Sequence, residues 1–172
     1  MATLRGSELA QEIGQKVAAL KQACQGVDES LASRAPTDRW SPKEILSHLC
    51  GPEGKGHLPI LRAFLDSDTP TIDLDTENPF LTETRAAMSF SELVAECEMN
   101  YRRVASFAAE LTEKQLARKA HIPKLKDSPL GEYPTLAGII SGLGEYHIQF
   151  HIDHLREILA ALSGNNEERS GL

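Results

Sequence analysis

Apolar residues recur at steps of three and four through four long stretches of the chain, and no stretch shows a convincing strand pattern. The first stretch, residues 6–32, places Leu9, Ile13, Val17, Leu20 and Cys24 on one stripe. That predicts an amphipathic helix, with Ser7 as its N-cap. Residues 33–38 read as a loop. Ser41-Pro42-Lys43-Glu44 announces a second helix, because it supplies an N-cap hydroxyl, a proline at the first helical position and a glutamate at the third. Ile45, His48 and Leu49 fall on its inner face. Gly51, Pro52, Gly54 and Gly56 then interrupt the pattern, so a kink or break is expected before residues 58–65 restore it.

Residues 67–80 form a polar connection punctuated by Pro70 and Pro79. The third long helix spans 89–111, with Phe90, Leu93, Cys97, Tyr101 and Val104 on its buried stripe. A short capped helical turn follows at 111–116, and 121–133 is a loop. Thr135 opens the last long helix, which runs to about Leu162. The pattern predicts an all-α four-helix bundle with a short extra helix before the last long one. The long connection after the second helix permits a non-simple topology. Residues 1–164 form a single domain and 165–172 a polar C-terminal tail.

Composition narrows the function classes. The chain has 172 residues, enough for one substantial core. Its net charge of −7 argues against a nucleic-acid surface and against an anionic membrane face. No apolar run approaches the roughly 20 residues of a membrane span. The start, Met1-Ala2-Thr3-Leu4-Arg5-Gly6, has no apolar leader, so a cytoplasmic location is expected. None of the three cysteines has CxxC spacing; Cys24 and Cys97 read as small core residues, and Cys50, two residues after His48, is a candidate sulfur ligand although helical positions two apart point in different directions.

The chemistry concentrates in histidine. His147, His151 and His154 lie on one helix and span only about 60° of its circumference. His147 and His151 have the one-turn spacing that two imidazoles need to share a divalent ion. His48 lies on an inward stripe of another helix and can close the site across the bundle. The competing explanation is a set of hydrogen-bonded core histidines without metal. His57 and His121 sit beside glycine and proline and are expected to be exposed.

Three stretches together resemble the DinB/YfiT-like superfamily of metal-binding four-helix bundles. The first runs from Trp40 through Ser41-Pro42-Lys43-Glu44 to His48, with Glu53 five residues on. The second runs from Phe90-Ser91-Glu92-Leu93 through Arg102 or Arg103 to Leu111-Thr112-Glu113-Lys114-Gln115-Leu116. The third runs from Pro134-Thr135 to His147, His151 and His154. The resemblance implies that His48, His147 and His151 are metal ligands. It covers residues 9–162. His154 stands where the family usually has glutamine, and Ile148 where many members have an acid.

Three imidazoles favour a transition metal, zinc or nickel foremost, and leave positions open for water or substrate. The resemblance implies a metal-dependent enzyme acting on a small molecule. The first reading is a transferase using a low-molecular-weight thiol, with Arg102 and Arg103 as contacts for that cosubstrate. The second is a hydrolase with Glu53 or His154 moving the proton. The third is a non-catalytic metal-stabilised binding or stress-response protein. Glu145 is a further carboxylate that could orient an imidazole, Trp40 a packing residue, and a homodimer the expected assembly.

Overall fold

The structure, a computed structural model, describes residues 5–169, with side chains as far as Gly164. The first four residues, on which the leader reading rests, lie outside it, as do 170–172 of the expected tail. The helices, in chain order, are α1 (Gly6–Cys24), α2 (Glu29–Ala32), α3 (Pro42–Cys50), α4 (Leu58–Asp66), α5 (Glu83–Ala87), α6 (Phe90–Glu110), α7 (Glu113–Leu116), α8 (Leu136–Ser141) and α9 (Ile148–Arg169). A π-helical segment, Gly142–His147, joins α8 to α9 in one continuous rod. No strand occurs among the described residues; two isolated bridges, Thr71 with His121 and Lys119 with Thr135, tie the long connections together.

The helix starts follow their caps. Ser41 Oγ accepts from the Glu44 N–H while the Glu44 carboxylate accepts from the Ser41 N–H, which fixes the first turn of α3. Ser89 with Glu92, and Thr112 with Gln115, do the same for α6 and α7. The first apolar stretch is not one helix. Gly26 adopts φ +70° and Asp28 caps a new turn, so α1 ends at Cys24 and α2 begins at Glu29. α1 starts from Arg5 rather than Ser7, with the Arg5 N–H donating to Glu8. The last helix continues past Leu162 to Arg169, because Gly164 keeps a right-handed conformation and does not cap it.

Around the bundle the order is α1, α6, α3 and the α8–α9 rod: α1 packs on α6 and the rod, and α3 packs on the same two. Successive long helices along the chain are thus not always neighbours in space. The connection at 67–80 allows this interleaving by carrying the chain away from α4 before α5. Leu9, Ile13, Leu46, Leu93, Tyr101 and Ile152 belong to one buried core that all four long elements share. The interleaving sets α3 directly against the histidine-bearing rod.

Helix α1 runs so close to α6 that a Cβ on Gly6 would lie 2.0 Å from the Ala108 carbonyl oxygen. Gly6→Ala should therefore destabilise the fold by about 1–3 kcal/mol. In a domain of this size that lowers Tm by about 2–4 °C per kcal/mol. Gly14, on the exposed face of the same helix, has nothing within 4 Å of an added Cβ. Gly14→Ala should raise stability by up to about 1 kcal/mol. Thermal unfolding of the two variants side by side checks the pair, and equal Tm values would contradict the packing described.

Candidate metal centre

Helix α3 brings His48 to the bundle interior one turn before its end, where Gly51 leaves the helix at φ +72°. His147 is the last residue of the π segment and His151 lies one turn into α9. One ring nitrogen from each of His48, His147 and His151 falls within 4.8 Å of the other two. The ring centroids are 4.8–5.1 Å apart. His48 Nε2 and His147 Nε2 are 3.0 Å apart, so both can sit about 2.0–2.1 Å from one shared ion.

Hydrogen bonds decide which nitrogens face the centre. His48 Nδ1–H donates to the Asn78 carbonyl at 2.7 Å, which leaves Nε2 as the lone-pair nitrogen. Among the described residues, His147 Nδ1 is buried without a hydrogen-bond partner, and the ring's polar contact is through Nε2. His151 Nδ1 lies 3.4 Å from His154 Nδ1.

Burial is the largest cause lowering the pKa of all three rings. It takes His151 down to about 3, helped by His48 and His154, and holds His147 well below the ordinary value, helped by His151 and His48. His48 is lowered too, against the opposing effects of the Asn78 hydrogen bond and Asp75. The rings are therefore neutral at pH 7, the form that ligates. Three neutral nitrogens with no carboxylate among them fit a divalent transition metal rather than calcium or magnesium.

Aromatic rings wall the cluster. Trp40 stacks on His151 at 6.2 Å and leans on His48 at 5.1 Å, so it packs against the imidazoles themselves. Phe80 lies parallel to His48 at 6.1 Å, and the edge of Phe150, 56% exposed, meets His151 at 5.0 Å. His154 stands at the rim, 6.1 Å from Trp40, with the Arg39–Glu157 ion pair beside it. Burial lowers its pKa first and Arg39 second, while Glu157 opposes them.

The other sequence candidates are placed elsewhere. Glu53 is exposed in the turn after α3. Arg102 pairs with Glu98 on its own helix, and Arg103 reaches Met99; both line a shallow groove with Leu58, Arg62 and Phe107. Glu145 is exposed, and after burial its charge is the next cause raising the pKa of Glu12 on α1. Two expectations are corrected. His57 is half-buried and bonded to the Leu49 carbonyl, and His121 is half-buried and paired with Glu132 at 2.8 Å. Cys50 is buried with its thiol toward the Leu93 carbonyl, outside the three-histidine set.

Sequence reasoning missed Asn78, Phe80 and Arg85. Asn78-Pro79 was the available signal, since proline holds the preceding residue extended. Nothing marked Arg85 for full burial, because arginine is rarely buried.

No family model and no curated protein matches the chain. Solved structures do. YfiT from Bacillus subtilis, described as a probable metal-dependent hydrolase with an unusual four-helix bundle topology, superposes with a TM-score of 0.72 at 21% identity, covering 95% of this chain and 90% of its own. An uncharacterised protein from Clostridium difficile 630 gives 0.64 at 16% identity, covering 91% of this chain and 96% of its own. A protein from Streptococcus pneumoniae gives 0.62 at 15% identity, covering 91% of each. The chain thus shares the YfiT four-helix bundle fold.

The depressed imidazoles set a pH dependence for the metal-free protein. An unfolded histidine takes up a proton near pH 6.5, whereas folded His151 does so only at about 3. Between those values the unfolded chain binds more protons, so stability is full above pH 6.5 and falls as the pH drops toward 3. Thermal scans of chelator-treated protein from pH 7.5 to 4 should show Tm falling steadily below 6.5, and less steeply in His151→Leu. A flat profile in the parent protein would show that these rings are not held neutral.

Proposed function

We propose that this protein is a metal-dependent enzyme that activates a small nucleophile at His48, His147 and His151, with hydrolysis of a small-molecule substrate as the leading reading. The observation that carries it is the convergence of three neutral imidazoles from two helices within 4.8 Å, with aromatic walls around them. Three protein donors leave coordination positions free, as catalytic centres do, whereas structural zinc is usually closed by four. The description of YfiT as a probable metal-dependent hydrolase supports the same reading.

A divalent ion held there supplies Lewis acidity and makes water a nucleophile at neutral pH. The chain's own residues do the rest. His48 is oriented by the Asn78 carbonyl, Phe80 stacks on its ring, and Trp40 stacks on His151. His154, at the rim, lies with its Nδ1 3.4 Å from His151 Nδ1, so in this reading it orients the second imidazole as Asn78 orients the first. Glu53, exposed on its turn, and Arg102 and Arg103, on the α6 groove, are assigned no role in this reading.

One observation favours a second reading, thiol-dependent S-transfer: the walls are aromatic, which suits an apolar electrophile, and an ion also holds a thiol as its nucleophilic thiolate. Zinc and nickel are the metals we propose.

Elemental analysis should find about one equivalent of metal in the reconstituted parent protein and little in His48→Ala or His147→Ala. His154→Ala should keep the fold and bind metal about 10-fold more weakly. Turnover of activated esters or amides without thiol supports hydrolysis. Turnover of a generic electrophile only when a thiol is present transfers the assignment to S-transfer. Metal uptake unaffected by both ligand substitutions would overturn the site itself, and collapse of the fold on chelation with no turnover would leave a metal-stabilised binding protein.

A further inference from the structure

Arg85 is completely buried, yet it contacts none of the three histidines. It lies on α5, a helix of one and a half turns inserted between the long connection and α6. Its Nη1 is within 2.6–3.3 Å of four oxygens: Ser47 O, Ser47 Oγ, Gly51 O and Phe80 O. Its Nε and Nη2 both reach Glu96 Oε1, at 3.3 and 2.8 Å. Glu96 balances the charge. The remaining acceptors lie in only two places, the last turn of α3 and the end of the connection at Phe80.

Those two places meet at His48. Ser47 precedes it and Gly51 closes its helix. Two residues before Phe80, the Asn78 carbonyl accepts the proton of His48 Nδ1. The strap at 78–80 is held in an unfavourable shape. Phe80 has φ +52°, a region that bulky L-residues avoid. Its N–H donates to Asn78 Oδ1 at 2.8 Å, Asn78 Nδ2 donates to Asp75, and Pro79 keeps Asn78 extended. The Phe80 ring lies 10° from parallel with the His48 ring. A strained backbone of this kind persists only where its surroundings over-determine it. Here Arg85 supplies the buried tie.

We infer that Arg85, acting through the 78–80 strap and the last turn of α3, is the positioning residue that keeps the His48 proton on Nδ1 and turns its Nε2 lone pair toward His147 and His151. The guanidinium clamps the helix that carries the imidazole to the strap that carries its acceptor. Lysine keeps the charge but presents a point, not a planar fork, and cannot hold both places and Glu96 together. With the clamp loosened, Phe80 returns to ordinary backbone angles and the Asn78 carbonyl leaves Nδ1. His48 then populates the Nε2–H tautomer, which offers no lone pair to the centre. The inference rests on the proposed metal site only for its effect on metal affinity; the tautomer is a property of the metal-free chain.

The test follows the tautomer and the metal separately. Long-range ¹H–¹⁵N spectra of the metal-free parent protein should show His48 as a single Nδ1–H tautomer. Arg85→Lys should show a mixture with Nε2–H and bind zinc about 10–100-fold more weakly. Phe80→Ala carries the same test from the half-buried end of the strap, where the fold is not at stake: its Tm should stay within a few degrees of the parent while tautomer and zinc affinity shift as in Arg85→Lys. A lowered Tm with an unchanged tautomer would reduce Arg85 to a structural role and overturn the inference. So would an Nε2–H tautomer in the parent. If the tautomers shift as expected while the parent takes up no zinc, the positioning role stands and the metal proposal falls.

Discussion

Three imidazoles removed from water between two helices cannot carry charge at low cost, and each still needs a partner for its polar nitrogens. That constraint organises the centre of this bundle. His48, His147 and His151 are held neutral by burial, so at pH 7 each keeps one lone pair and one N–H. The N–H groups must be directed outward and the lone pairs inward. His48 meets this requirement through a main-chain carbonyl, Asn78 O, and the strap that supplies that carbonyl is in turn tied down by a buried guanidinium. A cluster at the heart of the fold thus depends on a charge buried on a helix of one and a half turns.

The topology serves the same end. Because α3 lies between α6 and the α8–α9 rod, His48 faces His147 and His151 directly rather than across the core. The π segment that ends at His147 adds to this. Its i→i+5 bond, from the Ile148 N–H to the Leu143 carbonyl, changes the phase of the rod just where the ligand face begins. Gly144, inside that segment, is buried against Ile13 of α1, where a Cβ would come within 2.9 Å of Ile13 Cγ1. A straight-helix wheel places Leu143 on the inward face, but Leu143 is only half-buried, and the bulge is the reason.

Much of this could be read along the chain, and the exceptions share one cause. The capping box at Ser41 and Glu44, the long stripe from Phe90 to Ala108 and the one-turn spacing of His147 and His151 are local patterns, set by neighbours three or four residues away. The break at Gly26 was missed because the apolar steps carry on across it. His57 and His121 looked exposed because glycine and proline flank them, yet the folded chain gives each a partner far from those neighbours: the Leu49 carbonyl for one and Glu132 for the other. Arg85 and Phe80 gave no local signal at all, since burial of arginine and a left-handed phenylalanine are both choices that local preference opposes.

The sequence by itself determined the helices, the inward stripes and the identity of the nitrogen donors, because helix periodicity and capping act over one or two turns. Only the tertiary structure decided that His48 meets the other two histidines, that His48 and His147 meet through their Nε2 atoms, and that Trp40 stacks on His151. Those outcomes depend on helix order around the bundle and on a carbonyl 30 residues away along the chain from His48. Contacts of that range are set by how whole elements share one core, and no window of sequence contains both partners.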